Sequence, residues 1–258
     1  MVNFYPQVVI KLRQMSPKGF PMHSLRTIFL SLATLLSTAT LAAEAPKTFD
    51  NEYRAKLYGF NITVTNRLSK TDDGKYNLLF KADSMIGTIT EQSHMQWNPK
   101  QQTITPLRYT YVRRSLGKDR NAELIFDWPN KTVTNNVQKT SWEMDIAQKV
   151  QDKLSYQLQM QQDLLNGHKN FEYQIADGGR LKKYKFATVG EEMLETPLGK
   201  VNTVKIKRSR EDNERVTYAW LAKDWNYLLV RLQQEEKGET YTIYIHKATV
   251  DGKAITHF

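Results

Sequence analysis

Residues 218–250 read "YAWLAKDWNYLLVRLQQEEKGETYTIYIHKATV", with two tryptophans, four tyrosines and no catalytic motif. Tyr218, Trp220 and Ala222 fall on one face of an extended segment, and Ala219 and Leu221 on the other. Lys223-Asp224 and Asn226 supply a turn. Leu228, Val230 and Leu232 then alternate with Leu229, Arg231 and Gln233. A period of two, rich in β-branched and aromatic residues, is the mark of strands. The stretch predicts a hairpin whose aromatics are needed to build a sheet.

The same alternation runs outward through the chain. "NLLFKADSMI" is followed by Gly87, "TITEQSHMQW" by the turn-like "NPKQQ", and "TITPLRYTYVRR" places Tyr109 and Tyr111 on one face. "AELIFDW" stops at Pro129-Asn130, and "SWEMDI" spaces Trp142, Met144 and Ile146 two apart. "FEYQIA" and "LKKYKFATV" flank Asp177-Gly178-Gly179, a hairpin signal. "EEMLETP" and "VNTVKIKR" flank a turn at Pro197-Leu198-Gly199. "DDGKYN" at 72–77 has the chemistry of an Asp-Gly turn and lacks the further oxygen ligands of a calcium loop. Roughly twelve such segments predict a mainly β fold, an antiparallel meander.

One segment departs from period two. "QDKLSYQLQMQQDLLNG" spaces Leu154, Leu158 and Leu165 helically, with Val150 extending the stripe and Gln161 interrupting it. Asp152 is placed to cap the start and Gly167 to end the helix, so an amphipathic helix is predicted over about 152–166. Its apolar stripe is narrow, so it should lie against a sheet. A curved sheet covered by one helix predicts a half-open or closed β-barrel; a two-sheet β-sandwich is the alternative.

The first 42 residues differ in kind. They hold four basic residues, Lys11, Arg13, Lys18 and Arg26, and no Asp or Glu, and Arg26 is followed by "TIFLSLATLLSTATLA". This is the layout of a secretory signal, too short for the ~20 residues of a membrane-spanning helix. Met22 already opens a complete signal layout. Cleavage is expected after Ala42, leaving 43–50 as a flexible leader, 51–258 as one β-rich domain, and no transmembrane span in the mature chain. The expected destination is the bacterial periplasm.

The chain has no cysteine, which excludes disulfides, thiol nucleophiles and thiolate metal sites. Its net charge is +10, with 37 basic against 27 acidic residues. The excess is spread out, with small clusters at Lys182, Lys183 and Lys185 and at Lys205, Lys207 and Arg208. These read as solvated strand faces, and export argues against a nucleic-acid partner. His94, His168, His246 and His257 show no pairing at metal-ligand spacing, and no nucleophile elbow or nucleotide-phosphate loop is present. Glu191, Glu192 and Glu195 cluster before Pro197, with nothing to indicate burial. The sequence calls for no cofactor, no metal and no catalytic residue.

Aromatic residues remain. Trp97, Tyr109, Tyr111, Trp128 and Trp142 all lie in strand-like segments. Filling the core explains most of them; lining a cavity for an amphiphilic or polymeric envelope ligand is the competing role.

"ETPLGKVNTVKIKR" and "YAWLAKDWNYLLVRL", following a helix that begins "QDKLSYQL", resemble the exported bacterial family called domain of unknown function 3108. The resemblance covers about residues 50–250. It rests on the Thr196-Pro197-Leu198-Gly199 turn and on Trp220-Leu221-Ala222 leading to Val230-Arg231-Leu232. The family pattern carries proline where this chain has Lys223 and Leu229. It implies a β-rich envelope protein and supplies no catalytic residue. The sequence thus favours a non-enzymatic binding or carrier module for a lipid-like or polymeric envelope component. A carboxylate-dependent hydrolase of envelope sugars, or an adaptor for another envelope protein, is the alternative.

Overall fold

The structure, a computed structural model, describes residues 44–57, 59–117, 119–209, 215–236 and 238–258. The secretory signal expected at 1–42 lies outside the described residues. The first half of the fold is a run of hairpins: β1 (Phe49–Leu57), β2 (Phe60–Lys70), β3 (Tyr76–Ser84), β4 (Gly87–Asn98), β5 (Thr103–Ser115), β6 (Arg120–Asp127), β7 (Thr132–Val137) and β8 (Thr140–Asp145). Helix α1 (Ser155–Leu165) follows. The second half comprises β9 (Asn170–Asp177), β10 (Arg180–Thr196), β11 (Gly199–Ser209), β12 (Arg215–Ala222), β13 (Leu228–Glu236), β14 (Glu239–Val250) and the short β15 (Lys253–Ile255).

All pair antiparallel in one sheet, in the order β8-β7-β6-β5-β4-β3-β2-β1-β14-β13-β12-β11-β10-β9, with β15 beside β14. The meander is as the alternation predicts, and it is open: β8 and β9 are its two edges. Period two is visible in β2, where Val64, Asn66 and Leu68 are buried between more exposed neighbours. "LKKYKFATV" and "EEMLETP" prove to be one strand, β10, with an irregularity between Thr188 and Gly190. An extra residue there bends the strand without ending it.

The edges are not left bare. From β8 the chain crosses to β9, where Gln151 pairs in parallel with Ile175. Its amide donates to Gln174 O and its carbonyl accepts from Ala176 N, both at 2.8 Å. The Gln151 side chain reaches the other way, Nε2 donating to Ile104 O of β5 at 2.8 Å. Gln159 of α1 accepts from Ile104 N through Oε1 at 2.7 Å. Two glutamines thus supply the pairing that β6, whose register with β5 runs only between Arg108 and Arg113, does not give to this part of β5. At the opposite end of the opening Trp142 of β8 packs over Gly179 in the β9–β10 turn, where an added Cβ would meet the indole at 2.4 Å.

The helix starts later than expected, with Leu154 rather than Asp152 at the N-cap position, and the Asp152 carboxylate holds its first amides from two residues upstream. Asp152 Oδ1 accepts from Leu154 N and Ser155 N at 2.7 and 2.8 Å, and Ser155 Oγ accepts from Asp152 N at 2.9 Å. Gly167, in the left-handed region, ends it and donates to Leu164 O. Leu165, assigned to the apolar stripe, is exposed, whereas Gln159 and Gln162 are buried. The buried face follows the hydrogen-bonding needs of β5 rather than the leucine spacing.

Two further expectations change. Residues 44–50, expected to be part of a flexible leader, are engaged: Pro46 is buried, and Thr48 donates through N and Oγ to Asp251 Oδ1. Phe49 already belongs to β1 and sits in the core. Met85 and Ile86, assigned to a strand, form the β3–β4 turn. That turn is tight because Gly87 has φ +149° and its Cα faces Arg114 O; an added Cβ would lie 2.3 Å from that oxygen. Gly87→Ala should therefore cost about 2 kcal/mol through backbone strain and the shift of β5. The midpoint of urea unfolding, at unchanged slope, checks this.

Candidate functional site

The inward faces of β1–β3 and β10–β14 do not fill the space between them. They leave a cavity of about 220 Å3. Its floor is α1, through Tyr156, Leu158 and Met160, and its walls are apolar side chains such as Leu78, Ile206, Leu221 and Ile243. Ala219 and Thr217 of β12 face the space, and their small size helps keep it open. The volume lies below the ~300–1,000 Å3 of drug-sized pockets, so it admits a narrow chain rather than a broad molecule.

Polar groups enter this apolar space in two layers. Asn51 and Asn66 are cross-strand partners on β1 and β2, both buried, and the Oδ1 atom of each lacks a hydrogen-bond donor. Asn51 Nδ2 donates to Tyr53 Oη, whose hydroxyl donates to Leu229 O at 2.9 Å. Burial pushes the Tyr53 phenol far above its usual range, so it remains a neutral donor. The second layer is Arg208, Thr217 and Gln234, which pair in register across β11, β12 and β13. Arg208 lies flat on Tyr184, its Cζ 3.5 Å from the ring centroid, and its buried Nε has no acceptor. No carboxylate pairs with it among the described residues. Desolvation raises the Tyr156 phenol to about 12, against the pull of the Arg208 charge. A guanidinium with no carboxylate partner among the described residues, set at one end of an apolar space, suits an anionic head group with a chain behind it.

A larger, shallower groove of about 530 Å3 lies outside the opposite end, between the β4–β5 turn, α1 and β9. Most of its polar groups are committed, although the buried Oε1 of Gln151 has no donor. Gln151 and Gln159 bond to β5, and Asp163 accepts from Tyr173 Oη at 2.6 Å. The cavity is the better candidate because it joins an apolar lining to three buried side chains, Asn51, Asn66 and Arg208, that each keep an unpartnered polar atom.

The aromatic residues singled out from sequence occupy the other half of the sheet. Tyr109 is buried and donates to Glu91 Oε2; burial first, then the Glu91 charge, raises its phenol. Tyr111 lies under Lys153, whose Nζ is 5.3 Å from the ring centroid and 3.8 Å from Glu91 Oε2. Trp128 stacks on Phe126 at 5.8 Å and donates to Pro106 O at 2.7 Å. Trp97 packs against the main core with its Nε1 unpartnered, and Trp142 covers Gly179. The structure brings Tyr109 and Tyr111 together beside Glu91 and Lys153, but none of the five lines the cavity. Asn51, Asn66 and Arg208, which do, carry no motif; the inward phase of β1, β2 and β11 was the one available signal.

The carboxylates next to Pro197 are likewise spoken for. Glu191 pairs with Lys223 at 2.5 Å, Glu195 with Lys200 at 3.1 Å, and Glu192 accepts from the Trp220 indole. Among the described residues no three His, Asp or Glu side chains gather as a metal site. No described helix is long and apolar enough to cross a membrane.

Comparison with known proteins follows the fold. The chain is similar to a crystal structure of a beta-barrel-like protein of domain of unknown function DUF1849 from Brucella abortus, at 7% identity and TM-score 0.57, over 81% of this chain and 99% of that one. At that identity the likeness concerns the fold alone. A porin-like protein from Bacteroides uniformis aligns over 77% of this chain and 95% of its own, at 9% identity and TM-score 0.28. A search of curated proteins gives no match. Residues 52–246 match the model of a family described as "Protein of unknown function (DUF3108)". That span takes in nearly every strand of the sheet as well as the helix, and the chain belongs to the DUF3108 family.

Proposed function

We propose that the protein is an exported, non-enzymatic carrier that holds a single-chain amphiphile with an anionic head group, and that it works in the bacterial periplasm. The observation that carries this is the apolar cavity between α1 and the sheet, with the Arg208 guanidinium, which has no carboxylate partner among the described residues, at one end. The chain of the ligand lies over Leu221, Ile206 and Leu78. The head group meets Arg208, and a hydroxyl or amide near the chain meets the free acceptors of Asn51 and Asn66. Placement outside the cytoplasm is supported by the basic-then-apolar leader pattern of residues 1–42.

Titration with dansyl-undecanoic acid, followed by its fluorescence, tests the proposal. Saturable binding is expected. Ala219→Phe, which fills the cavity, and Arg208→Gln, which removes the charge, should each raise the dissociation constant at least tenfold. No saturable binding by the unsubstituted chain, or equal binding by both variants, would overturn it.

A further inference from the structure

The two ends of the curved sheet differ in their turns. One end carries Asp72-Asp73-Gly74, Asn98-Pro99-Lys100, Pro129-Asn130 and Asp251-Gly252, all polar or turn-forming. The other end carries Met85-Ile86 between β3 and β4, and Leu116 between β5 and β6. These are adjacent, because Gly87 pairs with Ser115. Met85 is 88% exposed, Leu116 91% and Ile86 44%. Phe60, the first residue of β2, is exposed on the neighbouring tip. A two-residue hairpin turn ordinarily takes Asn, Asp or Gly, so Met-Ile here leaves apolar surface in water with no gain for the turn. Exposed Lys56, Arg120 and Lys139 stand along the same end, on the β1–β2, β5–β6 and β7–β8 hairpins. The Arg208-Thr217-Gln234 layer is also nearest this end, since Gln234 lies two residues before the close of β13.

We propose that this end docks on an anionic lipid bilayer, with Met85, Ile86 and Leu116 entering the head-group region and Lys56, Arg120 and Lys139 facing the lipid phosphates. Apolar side chains at loop tips gain free energy by leaving water, and each nearby cation adds attraction to a negative surface. The basic arc favours a charged lipid surface over an apolar protein groove. Docking places the polar layer of the cavity toward the membrane, yet it does not depend on the cavity being filled.

The test uses the purified full chain and sedimentation with vesicles of mixed phosphatidylglycerol and phosphatidylcholine. Met85→Ser/Leu116→Ser should lower the partition coefficient at least tenfold relative to the unsubstituted chain. The leader is the same in both proteins, so the difference reads the turns alone. Because the chain has no cysteine, Met85→Cys and Lys100→Cys each give one labelling site for an environment-sensitive fluorophore. A blue shift on adding the mixed vesicles is expected at position 85 and not at 100. Phosphatidylcholine alone should give a smaller shift. Equal partition of the double variant, or a shift at neither or both positions, would overturn the proposal. Ala219→Phe separates it from the carrier reading: that variant should lose dansyl-undecanoic acid and still sediment with vesicles.

Discussion

Asp152→Ala is expected to destabilise the protein by about 3 kcal/mol, within the range for a broken buried hydrogen-bond network. The carboxylate is fully buried and does three things at once. It caps α1 through Leu154 N and Ser155 N, it takes a hydrogen bond from Ser93 Oγ of β4, and it thereby fixes the helix to the sheet. Alanine leaves two amides and a hydroxyl without acceptors in the interior. Asp152→Asn keeps Oδ1 for the cap, and Ser93 can turn from donor to acceptor for the amide, so its loss at neutral pH should be small or nil.

The pH dependence separates the two effects. Burial raises the Asp152 carboxyl from its ordinary 3.8 to about 6, against the lowering by its hydrogen bonds from Ser93, Ser155 and Leu154. The folded chain therefore holds a proton between about pH 4 and 6 that the unfolded chain releases. Its contribution to stability is whole below about pH 4 and is lost as pH rises through 6, a change on the order of 3 kcal/mol. Unfolding in urea at pH 5 and 7.5 should show about half of this loss, about 1.4 kcal/mol, in the parent and a flatter profile in Asp152→Asn. Identical profiles would show that the carboxyl titrates normally.

Trp220→Ala should cost about 3–4 kcal/mol, as other buried large aromatics do. Its indole is only 2% exposed although it lies on the face opposite the cavity. Register explains how: Lys205, Trp220, Arg231 and Tyr244 stand side by side on four consecutive strands. Lys205 Nζ is 4.7 Å and Arg231 Cζ 4.2 Å from the indole centroid. The cations contribute about 0.5–1 kcal/mol each, and their aliphatic stems cover the ring from water. Trp220→Phe, which keeps the stack and loses the bond to Glu192, should cost roughly 1–2 kcal/mol. Far-UV circular dichroism during denaturation measures both without relying on tryptophan emission.

Much of the fold could be read from the residues because its turns announce themselves locally. The turns at 74 and at 178–179 need positive φ, and Gly74, Gly178 and Gly179 say so. The faces of β12 were harder. The irregularity between Trp220 and Leu221 puts Trp220, Leu221 and Ala222 all out of water, so simple alternation fails at the point that matters. Gln151 and Gln159 look like surface residues in sequence; their bonds to Ile104 arise only once β5 lies alongside the helix. The cavity was hidden for a related reason. Asn51, Ala219 and Arg208 sit at unremarkable inward positions, and the space between them depends on the summed sizes of side chains from many strands. The aromatic residues pointed instead to the half of the sheet where the core is full.

The strand order has a consequence for how the molecule is made. Every strand but one pair joins a neighbour close by in sequence; β1 and β14 meet only after almost two hundred residues of intervening chain. A ribosome making the chain from its N-terminus delivers β1 early and leaves one of its flanks waiting. The two arms of hairpins can form on their own timetable, but the seam that makes them one body closes last, when residues 239–250 emerge.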